Sequence, residues 1–124
     1  MSNREGEVAE KGYKKLIVWQ KADDLAYKVY IATKTFPKNE LYGITSQLRR
    51  ATLSVPTNLV EGSGRQGKAE LRQFANIALG SLAEAGYLLD FSLKLKYIKE
   101  SDHKLLQSLC DEVGRLLWKF YKSF

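Results

Sequence analysis

The stretch LRQFANIALGSLAEAGYLLDFSLK, residues 71–94, decides the fold. Leu71, Phe74, Ala75, Ala78, Leu82, Ala85, Leu89 and Leu93 recur every three or four residues, the spacing that lines one face of an α-helix. No part of the chain alternates apolar and polar residues over a useful length, so a sheet has no candidate strands. The helix is read from Lys68 to about Tyr97. Gly67 serves as a permissive N-cap, and Glu70 falls where a carboxylate favours a helix start. The same segment carries a second apolar stripe, formed by Ile77, Tyr87, Leu88, Phe91, Leu95 and Ile98. A bundle helix in a monomer needs only one such face, so a second one predicts either deep burial or a partner.

Working outward, the preceding segment runs from about Leu41 to Gly62, with Ile44, Leu48, Ala51, Val55 and Leu59 as its stripe. Pro56 falls inside it, removes one backbone donor and crowds the carbonyl of Thr52, so a kink or local break is expected. Gly62 or Gly64 is expected to end it in the left-handed conformation. An earlier segment spans about Trp19–Phe36, with Ala22, Leu25, Ala26, Val29 and Ala32 inward, and stops at Pro37. Leu16-Ile17-Val18 is too short for a lone strand and reads as its lead-in. The last helix opens at Ser101-Asp102 and turns Leu105, Leu106, Leu109, Val113, Leu116, Leu117 and Phe120 inward. Four amphipathic segments with short connections predict an all-α, antiparallel up-down-up-down four-helix bundle over residues 14–124, its second helix kinked at Pro56. Residues 1–13 read as a flexible N-terminal segment.

Composition agrees with a single soluble domain: 124 residues, 44% hydrophobic and 27% charged. There is no apolar run of the roughly 18 residues that would span a bilayer, and the first residues lack the apolar core of a secretory signal. The one cysteine, Cys110, excludes an internal disulfide and suits a reducing, cytoplasmic compartment. His103 is the only histidine. Without a second His or a carboxylate cluster at ligand spacing, no metal or cofactor is expected. Cys110 has no activating base nearby in sequence, and paired acids for general acid–base work are absent, so the chain does not read as an enzyme. Gly62–Gly67 is glycine-rich before a helix, but it lacks the Gly-Lys-Ser/Thr ending of a phosphate-binding loop.

Three constellations remain. Along the second helix, Gln47, Arg50, Ser54, Asn58, Glu61 and Arg65 fall within a sector of about 80° at 100° per residue, beside the apolar stripe. This polar ladder reads either as a ligand or nucleic-acid surface or as structural, a set of partners for the carbonyl that Pro56 leaves free or for one another across a subunit contact. The net charge of +6 is spread along the chain, although four of the six arginines (Arg49, Arg50, Arg65, Arg72) share one stretch. Antiparallel folding would gather Lys14, Lys15 and Lys21 with Arg65, Lys68 and Arg72, and with Lys119 and Lys122, against Asp23, Asp24, Glu61 and Glu70. RNA or DNA is expected at that basic end. The tyrosines suit interfaces, but no sheet is available to display them to bases. Finally, Leu53 and Val60 turn away from the core and join Ile77, Tyr87, Leu88, Phe91 and Leu95 as an expected interface between copies of the chain.

The motifs themselves resemble a known family. Leu16-Ile17-Val18-Trp19-Gln20-Lys21-Ala22 is similar to the opening motif of four-helix bundle proteins encoded in bacterial 23S ribosomal RNA intervening sequences. Phe36-Pro37 with Glu40 and Tyr42-Gly43 resembles that family's first connection. Gln47-Leu48-Arg49-Arg50-Ala51, Ser54-Val55-Pro56 with Asn58, Glu61-Gly62 and Arg65 resemble its second helix, and Ala78-Leu79-Gly80-Ser81-Leu82 with Glu84 its third. The resemblance covers about residues 14–98; Gly67 departs from it where a serine cap is the family's habit. It implies a homopentamer without an enzymatic role. A related group, the accessory variability proteins of diversity-generating retroelements, implies nucleic acid and a reverse transcriptase as partners.

Overall fold

The structure, a computed structural model, describes residues 12–124. Most of the expected N-terminal segment, residues 1–11, lies outside the described residues. Gly12 and Tyr13 belong to a 3-10 turn, Gly12–Lys15, whose Tyr13 ring packs edge-on against Trp19 with centroids 5.0 Å apart. Among the described residues there are four α-helices and no strand: α1 (Ile17–Ala32), α2 (Ser46–Ser63), α3 (Lys68–Lys94) and α4 (Glu100–Lys122). The chain is a four-helix bundle in which α2 packs on α3, α3 on α4, and α1 on both α2 and α4.

The apolar stripes read from spacing form the core. Leu25, Leu48, Leu59, Leu89 and Leu117 are fully buried, as are Val29, Val55 and Val113. Each such side chain contributes roughly 1.5–3 kcal/mol by leaving water. Ala22, Ala75, Ala78 and Ala85 are buried between them and let the helix axes approach. Of the buried polar side chains, Thr52 and Ser92 are fully sealed from water. Their hydroxyls donate back to the carbonyls of Leu48 (3.0 Å) and Leu88 (2.8 Å), so neither is left unsatisfied.

Several boundaries differ from the sequence reading. α1 ends at Ala32, four residues early, and passes into a 3-10 turn, Thr33–Thr35. Thr33 marks this end: its N–H still bonds Val29 O, and its buried hydroxyl adds bonds to the carbonyls of Val29 and Tyr30. The segment Leu41–Thr45 is a wide π-type turn that leaves helical geometry at Gly43 (φ −107°, ψ −121°), and regular helix begins only at Ser46. α2 then runs through Pro56 without a break in its helical span. It does not end on a left-handed glycine: Gly64 has φ −81°, and the positive φ values fall at Gly67 (135°) and Lys96 (63°). Lys96 closes α3. Its N–H bonds Leu93 O at 2.9 Å and the N–H of Tyr97 bonds Ser92 O at 2.9 Å, the paired bonds of a Schellman cap. No glycine marks that cap, so the sequence pattern carries the expected helix on to Tyr97. α4 begins at Glu100, with Lys99 at the N-cap and no side-chain cap, so Ser101 does not fill that role.

The corner between α1 and α2 is tied to the far end of α3. Tyr97 Oη donates to Glu40 Oε2 at 2.8 Å, and the Tyr97 ring packs on Phe36 with centroids 5.6 Å apart. The Glu40 bond first, then burial and the carboxylate's charge, raise the tyrosine's pKa above its ordinary value.

Close packing at the α2–α3 seam generates a test. A Cβ added to buried Gly62 would meet Leu71 Cδ1 at 2.8 Å and Phe74 Cβ at 3.0 Å. Gly62→Ala therefore lowers stability by about 1–2 kcal/mol despite alanine's better helix propensity. Lys96→Gly relieves the left-handed residue and raises stability by about 1 kcal/mol. Urea unfolding of the two variants should move in opposite directions.

Candidate nucleic-acid interface

The start of α1, the end of α2, the start of α3 and the end of α4 share one cleft of about 730 Å³, lined by Tyr13, Leu16, Val60, Leu71, Phe120 and Phe124. The cationic residues of the sequence reading surround these positions. Lys14 and Lys15 lie exposed on the turn before α1, Arg65 and Lys68 flank Gly67, and Lys119 and Lys122 occupy the last turn of α4.

Folding builds something there that spacing alone did not announce. The Arg72 guanidinium lies 4.4 Å from the Tyr121 ring centroid. Tyr121 stacks on Trp118 with centroids 5.6 Å apart and planes 22° from parallel. Lys122 Nζ lies 5.7 Å from the Trp118 ring. Trp118, Tyr121 and Lys122 follow one another at i, i+3 and i+4, the spacing that puts them on one face of α4, and α3 brings Arg72 against that face. The result is a row of cation, ring, ring and cation, with Trp118 52% exposed. Trp118 and Tyr121 are not among the site residues the sequence singles out, although their helical spacing next to Lys122 is visible there.

Not every expected cation contributes equally. Arg65 is paired with Glu61 at 3.3 Å and lies over Phe74, 5.4 Å from its centroid. Lys21 is drawn along the flank of the bundle to Glu112 on α4 at 3.5 Å. Asp24 pairs with Lys28 at 2.8 Å. Such partly exposed pairs contribute little to stability, but they reduce the charge that Arg65 and Lys21 present.

The polar ladder divides. Ser54 Oγ meets Ser81 Oγ of α3 at 2.8 Å, and Asn58 Nδ2 donates to Ser54 O at 2.8 Å and to Ser54 Oγ at 2.9 Å. This part holds α2 to α3. The carbonyl it serves is that of Ser54, not that of Thr52 as the proline argument expected. Gln47 and Arg50 stay exposed and line a second cleft of about 450 Å³ with Leu53, Thr57, Ser81 and Glu84. Glu61 and Arg65 pair with each other.

The second apolar stripe also divides. Leu88 is 7% exposed and Ile98 is buried as well, so both belong to the core and neither forms part of an outer face. Leu88 faces inward on α3, and Ile98 lies past the end of α3, in the connection to α4, where it packs against the core. Leu53, Val60, Ile77, Tyr87, Phe91 and Leu95 remain exposed. Val60 lines the cleft at the basic end, while Tyr87 and Phe91 lie with ring centroids 6.2 Å apart. Leu105, expected inside, is 70% exposed.

His103 Nε2 sits 2.8 Å from Asp90 Oδ1, which also accepts from Gln107 Nε2 at 2.8 Å. This cluster joins α3 to α4. No group of three or more His, Cys, Asp or Glu residues sits at metal-holding distance among the described residues. No helix among them is long and apolar enough to cross a membrane.

The pattern of the 23S rRNA-intervening sequence proteins matches this chain over residues 14–119. A solved structure of a protein of unknown function, from the S23 ribosomal protein family of Bacteroides thetaiotaomicron, superposes with a TM-score of 0.76 at 22% identity. The match covers 86% of this chain and 99% of that one. At that identity the likeness shows the fold alone. No curated protein sequence matches the chain.

Cys110 gives a chemical test of the α3–α4 packing. Burial first, then the nearby Asp111 and Asp90 charges, push its thiol up to about 12 from an ordinary 9.0. Three pK units cut the thiolate fraction at pH 8 by about 1,000-fold. Iodoacetamide should therefore label Cys110 far more slowly in the folded chain than in urea, as read by mass spectrometry; equal rates would refute the buried, neutral thiol. The folded state favours the neutral form, so this contribution to stability is present below pH 9 and is lost as pH rises toward 12.

Proposed function

We propose that this chain, which belongs to the 23S rRNA-intervening sequence protein family, is a non-enzymatic, homo-oligomeric bundle that binds RNA across its basic end. The observation that carries the reading is the Arg72–Tyr121–Trp118–Lys122 row. Cations at its two ends suit phosphates, and an exposed indole between them suits a base. Stacking on an aromatic ring is tolerant of sequence, and phosphate contacts release counterions. Lys14, Lys15, Lys68 and Lys119 add sequence-independent attraction from neighbouring elements. Nothing in this chemistry requires a bond to be broken.

Self-association is supported by a different surface. Leu53, Ile77, Phe91 and Leu95 on α2 and α3 are exposed; burying each against a second copy contributes roughly 1.5–3 kcal/mol at most. A Cβ at Gly80 would meet nothing within 4 Å, so the middle of α3 leaves room for a neighbouring helix. Five copies is the number the family resemblance implies. The alternative reading, an oligomeric scaffold without nucleic acid, keeps this surface and dispenses with the basic end.

Single-stranded RNA binding, followed by the fluorescence anisotropy of end-labelled RNA over a salt series, separates the two. Arg72→Ala with Lys122→Ala should reduce the slope of log K against log salt by about 1.4, and Trp118→Ala should cost about 1–3 kcal/mol of affinity. An unchanged slope would remove RNA from this end.

For assembly, Leu53→Asp with Phe91→Asp should split the oligomer while circular dichroism stays helical. Leu88 is unsuitable for that test because a charge there enters the core. Wild-type protein at 14.1 kDa in micromolar solution, read by light scattering, would sink self-association.

A further inference from the structure

The far end of the α1–α2 pair holds a second cationic feature, which neither the basic end nor the oligomer surface uses. Arg49 lies about 21 Å along α2 from its last residue, Ser63, at 1.5 Å per residue. There the 3-10 turn after α1, the turn Lys38–Glu40, the π-type turn and the first turns of α2 enclose a cavity of about 390 Å³. Its walls carry Lys34, Lys38 and Arg49, its floor is Phe36, Pro37 and Leu41, and no acidic residue lines it. Glu40, the acid on the neighbouring turn, is engaged by the Tyr97 hydroxyl at 2.8 Å.

Two observations suggest a built site and not a chance of lysine placement. Arg49 is held in position: its Nε donates to buried Thr33 Oγ1 at 2.8 Å, its Nη2 reaches Tyr30 O at 3.5 Å, and its guanidinium lies 4.5 Å from the Tyr30 centroid. Those bonds take two of its five N–H donors. Thr45 also lines the cavity; it is 3% exposed, and its Oγ1 has no hydrogen-bond partner among the described residues. A buried hydroxyl without a partner is costly, and a ligand atom that reached it through a small shift of the cavity wall would relieve it.

We infer that this cavity binds a small organic phosphate, an ester whose phosphate meets Lys34, Lys38 and Arg49 while its apolar body rests on Phe36, Pro37 and Leu41. Three cations suit the charge of a phosphate monoester, which approaches −2, better than that of a single carboxylate. The volume lies at the low end of small-molecule sites, and the short, apolar floor is unlike a groove that tracks a polynucleotide.

Phenyl phosphate is the probe, followed by amide NMR on the full chain, with inorganic phosphate and phenol as partial ligands. Saturable shifts are expected at Thr33, Leu41, Thr45 and Arg49, with each partial ligand at least about tenfold weaker. Lys34→Gln with Lys38→Gln should weaken phenyl phosphate at least about tenfold and leave the Tm unchanged, since both lysines are exposed. Thr45→Val should weaken it too, without lowering the Tm of the ligand-free protein. The inference is overturned by the absence of saturable shifts at these amides up to about 10 mM, by wild-type affinity in the double lysine variant, or by shifts confined to the end that holds Arg72.

Discussion

The close approach of α2 to α3 is the constraint on which the rest of the molecule depends. At buried Gly62 the two helices leave no room for a methyl group against Leu71 and Phe74. Further along the seam, Ser54 and Ser81 meet at hydrogen-bond distance. Between these points Val55, Leu59, Ala75 and Ala78 are sealed from water. This contact sets the path of the turn that carries Arg65 and Lys68, and it delivers Arg72 to the side of α4. A wider seam would carry Arg72 away from Tyr121 and open the cleft at the basic end.

The polar residues along the bundle do two different kinds of work. Ser54, Asn58 and Ser81 satisfy one another where α2 and α3 touch, so their role is to hold the seam. Asp90 does the same between α3 and α4 through His103 and Gln107. Two arginines at opposite ends of the bundle are different, because they lie against aromatic rings. Arg72 faces Tyr121 and Arg49 faces Tyr30. A guanidinium packed on a ring face keeps its edge N–H groups for other acceptors, which is the shared physical basis of the two binding surfaces proposed here.

Legibility differs sharply between core and site. The inner faces of α1 and α2 were readable residue by residue, since Ala22, Leu25, Val29, Leu48, Val55 and Leu59 sit at regular helical spacing and are buried. Helix ends were less readable. At the end of α1 the Thr33 hydroxyl adds bonds to backbone carbonyls, and Lys96 takes a left-handed conformation with no glycine to signal it. Leu88 and Leu105 exchanged their expected surroundings because spacing fixes an angle around one helix axis but not where the neighbouring helices lie. Trp118 and Tyr121 went unnoticed for a similar reason: their meaning comes from Arg72, 46 positions before Trp118 in the chain.

The order of apolar and polar residues was enough, by itself, to determine that this chain forms four helices with one buried face each, because helical period and burial are local consequences of side-chain order. Its motifs were also enough to indicate the family. Only the tertiary structure decided which cations act together. Lys21 is drawn to Glu112 on another helix, whereas Arg72 and Lys122 are joined through two rings. Charge acts through distance in space, and the distances between residues on different helices exist only once the helices have packed.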